Sequence, residues 1–205
     1  MSAKEEKKEN IMGTLGITRL IMKMSLPLMI SMLIQALYNI VDSMFVARVS
    51  ETALTAVSLA FPLQNLLIAF GVGTGVGMAS YLSRKLGEKD TETATKAAGN
   101  GITLAVITWI LFAILGLTIV KPFMALFTDD AELLGLSTSY SEIVMIFSFF
   151  MLLSMMNERI LQGTGDSFSS MLSQMTGAIT NIILDPVFIF VFKMGVRGAA
   201  LATII

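Results

Sequence analysis

Two aspartates stand alone in long apolar runs. Asp42 sits in YNIVDSMFVAR and Asp185 in NIILDPVFIF. No Lys or Arg lies within five positions of Asp42. A charged side chain at the centre of a membrane costs about 2.5–3.5 kcal/mol on insertion scales, so such residues usually face a bundle interior or a wet cavity. Each aspartate heads a polar stripe. Gln35, Tyr38 and Asp42 share one helix face, as do Gln174, Ala178, Asn181 and Asp185. Pro186 directly follows Asp185. A proline inside a helix removes an amide donor and frees the carbonyl four residues back, here that of Ile182. Carboxylates, an amide and a freed carbonyl are oxygen ligands of the kind a hard cation uses, and the same carboxylates can hold a proton. Asp42 and Asp185 are thus expected to form a cation or proton site. A positively charged organic molecule would compete for that negative charge.

These residues have to be positioned by membrane helices. The chain has 205 residues, 55% of them hydrophobic and 14% charged, with a mean hydropathy of +0.78. That balance excludes an ordinary soluble domain and fits a polytopic membrane protein. A net charge of −1 leaves no basic footprint for nucleic acid. The chain has neither Cys nor His, which excludes disulfides, His-based triads and the usual zinc sites. At about 20 residues per span, the expected spans are roughly 24–47, 53–82, 97–120, 137–159 and 167–192, with an incomplete sixth over 197–205. Residues 1–15 read as a charged tail, and the first span as a signal anchor rather than a cleaved signal. Ten Lys and Arg residues fall on the side of the N-terminus and four on the other, which puts the N-terminus in the cytoplasm.

Counting depth from the outer charges aligns three polar groups. Asp42 lies about 9 Å below Arg48, Asp185 about 12 Å below Lys193, and Thr203 about 9 Å below Arg197 at 1.5 Å per residue. Three helices therefore bring oxygen ligands to one layer in the outer half of the membrane.

The order and spacing of SLPLMISMLIQALYNIVDSMFVAR, YLSRKLGEKD, LQGTGDS and NIILDPVFIF…MGVRGAALAT resemble the N-terminal lobe of the multidrug and toxic compound extrusion (MATE) transporters, over about Leu15 to Ile205. The resemblance implies an all-α, polytopic bundle: a six-helix lobe with its sixth helix cut short. It implies a second lobe of the same protein as partner, a bacterial plasma membrane, and a transporter rather than an enzyme. The implied activity is export of cationic amphiphilic drugs in exchange for Na⁺ or H⁺, with no cofactor beyond that ion. The implied cation site falls on Asp42, Asn181, Asp185 and Thr203. Tyr38 matches a neighbouring polar position, and Asn157 is aligned with a family asparagine on the fourth span. Gln35 and Gln174 complete the polar cavity, with Pro27 and Pro186 as hinge positions. A lipid-linked oligosaccharide flippase of the same superfamily, or a membrane subunit that only packs with partners, are the alternatives. A flippase would favour basic cavity residues over these acidic ones.

Other features read more simply. Gly71, Gly73, Gly75 and Gly77 look like a phosphate loop, but no Gly-Lys-Ser/Thr follows and the run lies in a span, so close helix packing is expected. Glu158 and Arg159 read as an interfacial snorkelling pair. Most of the 16 methionines read as lipid or core contacts.

Overall fold

The computed structural model describes Gly13 and residues 15–205; of the 1–15 tail segment only Gly13 and Leu15 fall within it, and Lys4, Lys7 and Lys8 lie outside the described residues. Among the described residues every regular element is helical. In chain order they are α1 (Ile17–Ala47), α2 (Glu51–Gly87), α3 (Thr91–Thr118), α4 (Val120–Met124), α5 (Ala131–Ile146), α6 (Phe149–Gly163), α7 (Ser167–Pro186), a π-helical turn (Val187–Val191) and α8 (Val196–Ile204). Among the described residues four helices are long and apolar enough to cross a membrane singly, and the bent pair α5 and α6 makes a fifth if it is one broken span.

Side-chain caps set several helix starts. Ser50 Oγ accepts from the Ala53 amide at 2.9 Å, and Asp90 from Thr93 at 3.0 Å. Asp130 accepts from Glu132 and Leu133, and Asp166 from Ser169. Each satisfies an amide that the first helical turn would otherwise leave orphaned. Among the described residues the ion pairs are confined to the α2–α3 turn, between Arg84 or Lys85 and Glu88, Lys85 and Asp90, and Lys96 and Glu92.

Helix α2 is the hub and packs on α3, α5 and α6, while α1 lies chiefly along α7. The larger core gathers Leu67, Phe112, Tyr140, Met145, Leu152 and Ile189. A smaller one at the other end holds Met78, Leu82 and Met156. Gly71 and Gly75 explain half of the glycine run. A methyl on Gly75 would come within 2.7 Å of the Arg159 Cγ, and one on Gly71 within 3.0 Å of a Leu152 methyl. Gly73 and Gly77 face open space. Helix α1 is different: Ser31 and Val46 are its buried residues, and Leu26, Met29, Met32 and Leu33 are exposed. Such apolar exposure is ordinary against lipid or a second membrane-embedded surface.

Two expectations need correction. The fourth span is not one helix: it breaks at Phe147 and Ser148, and α5 and α6 meet at a bend of 50°. No proline marks the break. The indole Nε1 of Trp109 on α3 donates to the Ile146 carbonyl at 2.8 Å, and the Ser148 hydroxyl donates to the Met145 carbonyl at 2.9 Å. Groups inserted into the backbone ladder are a standard cause of a kink. The fifth span also changes character. Helix α7 ends at Pro186 and winds into the wider π turn, where the Phe192 amide donates to the Val187 carbonyl five residues back at 2.9 Å. Proline's missing donor is accommodated by this change of winding, and π turns of this sort are frequent at functional sites. The loop expected between the third and fourth spans also holds the short helix α4, with Val120 and Met124 buried.

Candidate functional site: a buried oxygen cluster

Asp185 lies on the inner face of α7 just before the π turn and is fully buried. Asn181, one turn earlier, is 7% exposed. Helical spacing stacks the two on one face. From α1, Asp42 brings its carboxyl into side-chain contact with that of Asp185. Asp42 Oδ1, Asn181 Oδ1 and both Asp185 carboxylate oxygens are buried without a hydrogen-bond donor. Two carboxylates are acceptors only, so they can bond to each other only when one holds a proton. Four orphaned oxygens in an apolar interior are costly unless something positive joins them. The donor set of two carboxylates and an amide oxygen fits a shared proton or a hard monovalent cation.

Thr203 arrives on α8. Its hydroxyl donates to the Ala199 carbonyl at 2.9 Å, leaving the oxygen's lone pairs available. It reaches the cluster through a residue that sequence reasoning missed. Tyr140 on α5 is 1% exposed, contacts Thr203 through its hydroxyl, and lies in the field of Asp42, Asp185 and Tyr38. The signal for it was weak: one tyrosine near a polar STSYSE stretch at a span's start. Helix α8 is held close by Gly198, which packs directly on the π-turn backbone.

Tyr38 is half-buried on α1 and hydrogen-bonds Gln35, which is itself exposed. Gln174 is half-buried on α7, but its Nε2 donates to Glu158 Oε2 on α6 at 2.9 Å. Asn157 is exposed, and the residue facing α7 is Glu158. Glu158 and Arg159, expected as an interfacial pair, take separate hydrogen-bond partners. Arg159 donates to Gln162 at 2.8 Å, and Gln162 in turn donates to Ser170 at 2.9 Å. Pro27 lies within α1, which runs through it unbroken, and the Ser31 hydroxyl donates to the Pro27 carbonyl at 3.1 Å. Pro186 closes α7.

A bundle of apolar spans around a buried, oxygen-only polar cluster defines a multi-pass membrane protein of the transporter type. The family model MatE matches residues 27–187, and the chain belongs to that family, the MATE transporters. It is 30% identical over 191 residues to the multidrug export protein MepA of Staphylococcus haemolyticus strain JCSC1435, covering 93% of this chain and 42% of that protein. It resembles a solved outward-facing multidrug resistance MATE transporter of the MOP superfamily, with a TM-score of 0.86 at 33% identity, covering 90% of this chain and 41% of that one. A MATE structure in the straight conformation matches with a TM-score of 0.85 at 33% identity, over 91% and 41% of the two chains. The chain thus spans about two fifths of the length of the relatives it matches.

Proposed function

We propose that this chain forms the ion-coupling lobe of an antiporter that exports cationic amphiphilic molecules in exchange for Na⁺ or H⁺. The observation that carries this is the contact between Asp42 and Asp185 in the bundle core, with Asn181 beside them and no donor for four of their oxygens. A site built that way gains from a small cation or a proton and has no need of catalytic chemistry. Thr203 and Tyr140 complete its wall from α8 and α5. The relatives' greater length supports a second lobe that supplies the rest of a central cavity. The basic bias of the inner loops supports a cytoplasmic N-terminus in a bacterial plasma membrane. The ion would arrive from outside and drive release of cargo outward, with α1 flexing at Pro27, where the missing amide weakens the ladder.

The test is efflux of a fluorescent organic cation from cells carrying the complete gene, driven separately by a Na⁺ gradient and a pH gradient. Asp42→Asn and Asp185→Asn should each abolish the gradient-driven component. Intact ion-driven efflux in both variants would overturn the assignment. Cross-linking α1 in its straight form should also stop transport, and unimpaired export would remove the flexing step.

A further inference from the structure

Glu158 is a third carboxylate inside the bundle, and the ion layer does not use it. It stands on α6, beyond the break. Its partner Gln174 precedes Asp185 by eleven residues on the same helix. At 1.5 Å per residue, Glu158 therefore lies about 16 Å inward of the outer pair. One oxygen is clamped by the Gln174 amide at 2.9 Å, and no donor is recorded for the other. Its neighbour Arg159 forms no direct ion pair with it: that guanidinium donates to Gln162 at 2.8 Å and its stem lies against Gly75, so Arg159 acts on Glu158 only as a nearby charge. Among the described residues no Lys or Arg forms an ion pair with Glu158. Tyr38 of α1 lies one helical turn inward of Asp42 and in the field of Glu158 as well as of Asp42 and Asp185.

A half-buried carboxylate with a fixed orientation, no direct ion pair and a phenol in its field suits an organic cation. Charge pairing is strengthened where water is partly excluded, and an aromatic face adds cation–π attraction. A hard ion prefers the oxygen cluster above, where donors converge from three elements. We propose that Glu158, oriented by Gln174 and flanked by Tyr38, binds the cationic group of the transported molecule, at a station separate from the ion layer. This deepens the export reading and rests on it. Ion and cargo then do not have to exchange at one carboxylate pair.

The test is equilibrium binding of ethidium to the protein expressed from its complete gene and reconstituted in nanodiscs. Glu158→Gln should weaken binding at least about tenfold, the loss of roughly one partly buried ion pair. Glu158→Asp should fall between it and the wild type, and Glu142→Gln, a glutamate on α5 outside both stations, should bind as wild type. Equal affinity in Glu158→Gln would overturn the proposal. A second readout uses the unaltered protein: ethidium should protect Glu158 from carbodiimide modification, read by peptide mass spectrometry. Full modification at saturating dye would overturn it even if the variant misfolds. Failure of the unaltered protein to bind any lipophilic cation would instead defeat the export reading, and this assignment with it.

Discussion

Gly198 on α8 lies so close to Phe188 in the π turn that a methyl group on it would sit 2.7 Å from the Phe188 carbonyl carbon and 2.9 Å from the Ile189 amide nitrogen. Both neighbours are backbone and cannot swing aside. This contact sets how near α8, and with it Thr203, stands to Asp185. Gly198→Ala should lower stability by about 1–3 kcal/mol through overpacking and weaken ion binding as α8 is pushed away. Gly135→Ala, on a helix with nothing within 4 Å of the added methyl, should be neutral or slightly stabilising. Thermal unfolding in detergent, with and without Na⁺, separates the two; equal losses in both variants would show that the close approach is unimportant.

Tyr140 is expected to matter through its hydroxyl alone. Tyr140→Phe keeps the buried ring and removes the contact with Thr203. Loss of one buried hydrogen bond costs about 0.5–1.5 kcal/mol. The expected result is weaker ion affinity with little loss of stability, measured by the ion concentration that half-saturates efflux. An unchanged value would place Tyr140 in the core only.

The broken fourth span depends on Trp109. Trp109→Phe retains an aromatic ring against Phe149, 5.2 Å away by centroids in the wild type, but leaves the Ile146 carbonyl without its donor. An unsatisfied buried acceptor costs about 1–3 kcal/mol. Circular dichroism melting should show a loss of that size. Because Trp109 is the single tryptophan, its fluorescence in the unaltered protein also reports motion at the break.

Asp166, outside the spans, supplies a pH-dependent prediction. Its hydrogen bonds from the Ser169 hydroxyl and then the Ser169 amide hold its carboxyl below the usual aspartate range. A depressed folded-state value stabilises the protein above the unfolded value, near 3.9, and the gain is lost as pH falls through the folded value. Asp166→Ala should therefore lower stability by about 1 kcal/mol at neutral pH. The gap between variant and wild type should close in acid. A gap that stays constant as pH is taken well below the ordinary aspartate value, about 3.9, and through the lowered one would refute the cap's role.

Much of this was legible in the chain before any coordinates. Solitary charges in apolar runs and helical spacing pick out Asp42, Asn181 and Asp185, because burial of a carboxylate is too costly to be casual. Helix spans read well from hydropathy, since 20 apolar residues have few other uses. The break at Phe147 was hidden because nothing local makes it: IVMIFSFFMLL holds neither proline nor glycine, and the group that stabilises the bend comes from α3. The link from Glu158 to Gln174 was hidden for a related reason: it joins two helices, and nothing in either local stretch announces it. Tyr140 was missed because a single tyrosine in a polar stretch carries no periodic signal.

That bend also divides the labour of the lobe. Tyr140, which lines the ion layer, rides on α5, and Glu158 rides on α6. The two are carried by separate rods meeting at a knuckle pinned by one indole. A change of angle at that joint would move Glu158 relative to Tyr140 while leaving both helices wound, so the two halves of this span can shift against each other without unfolding either.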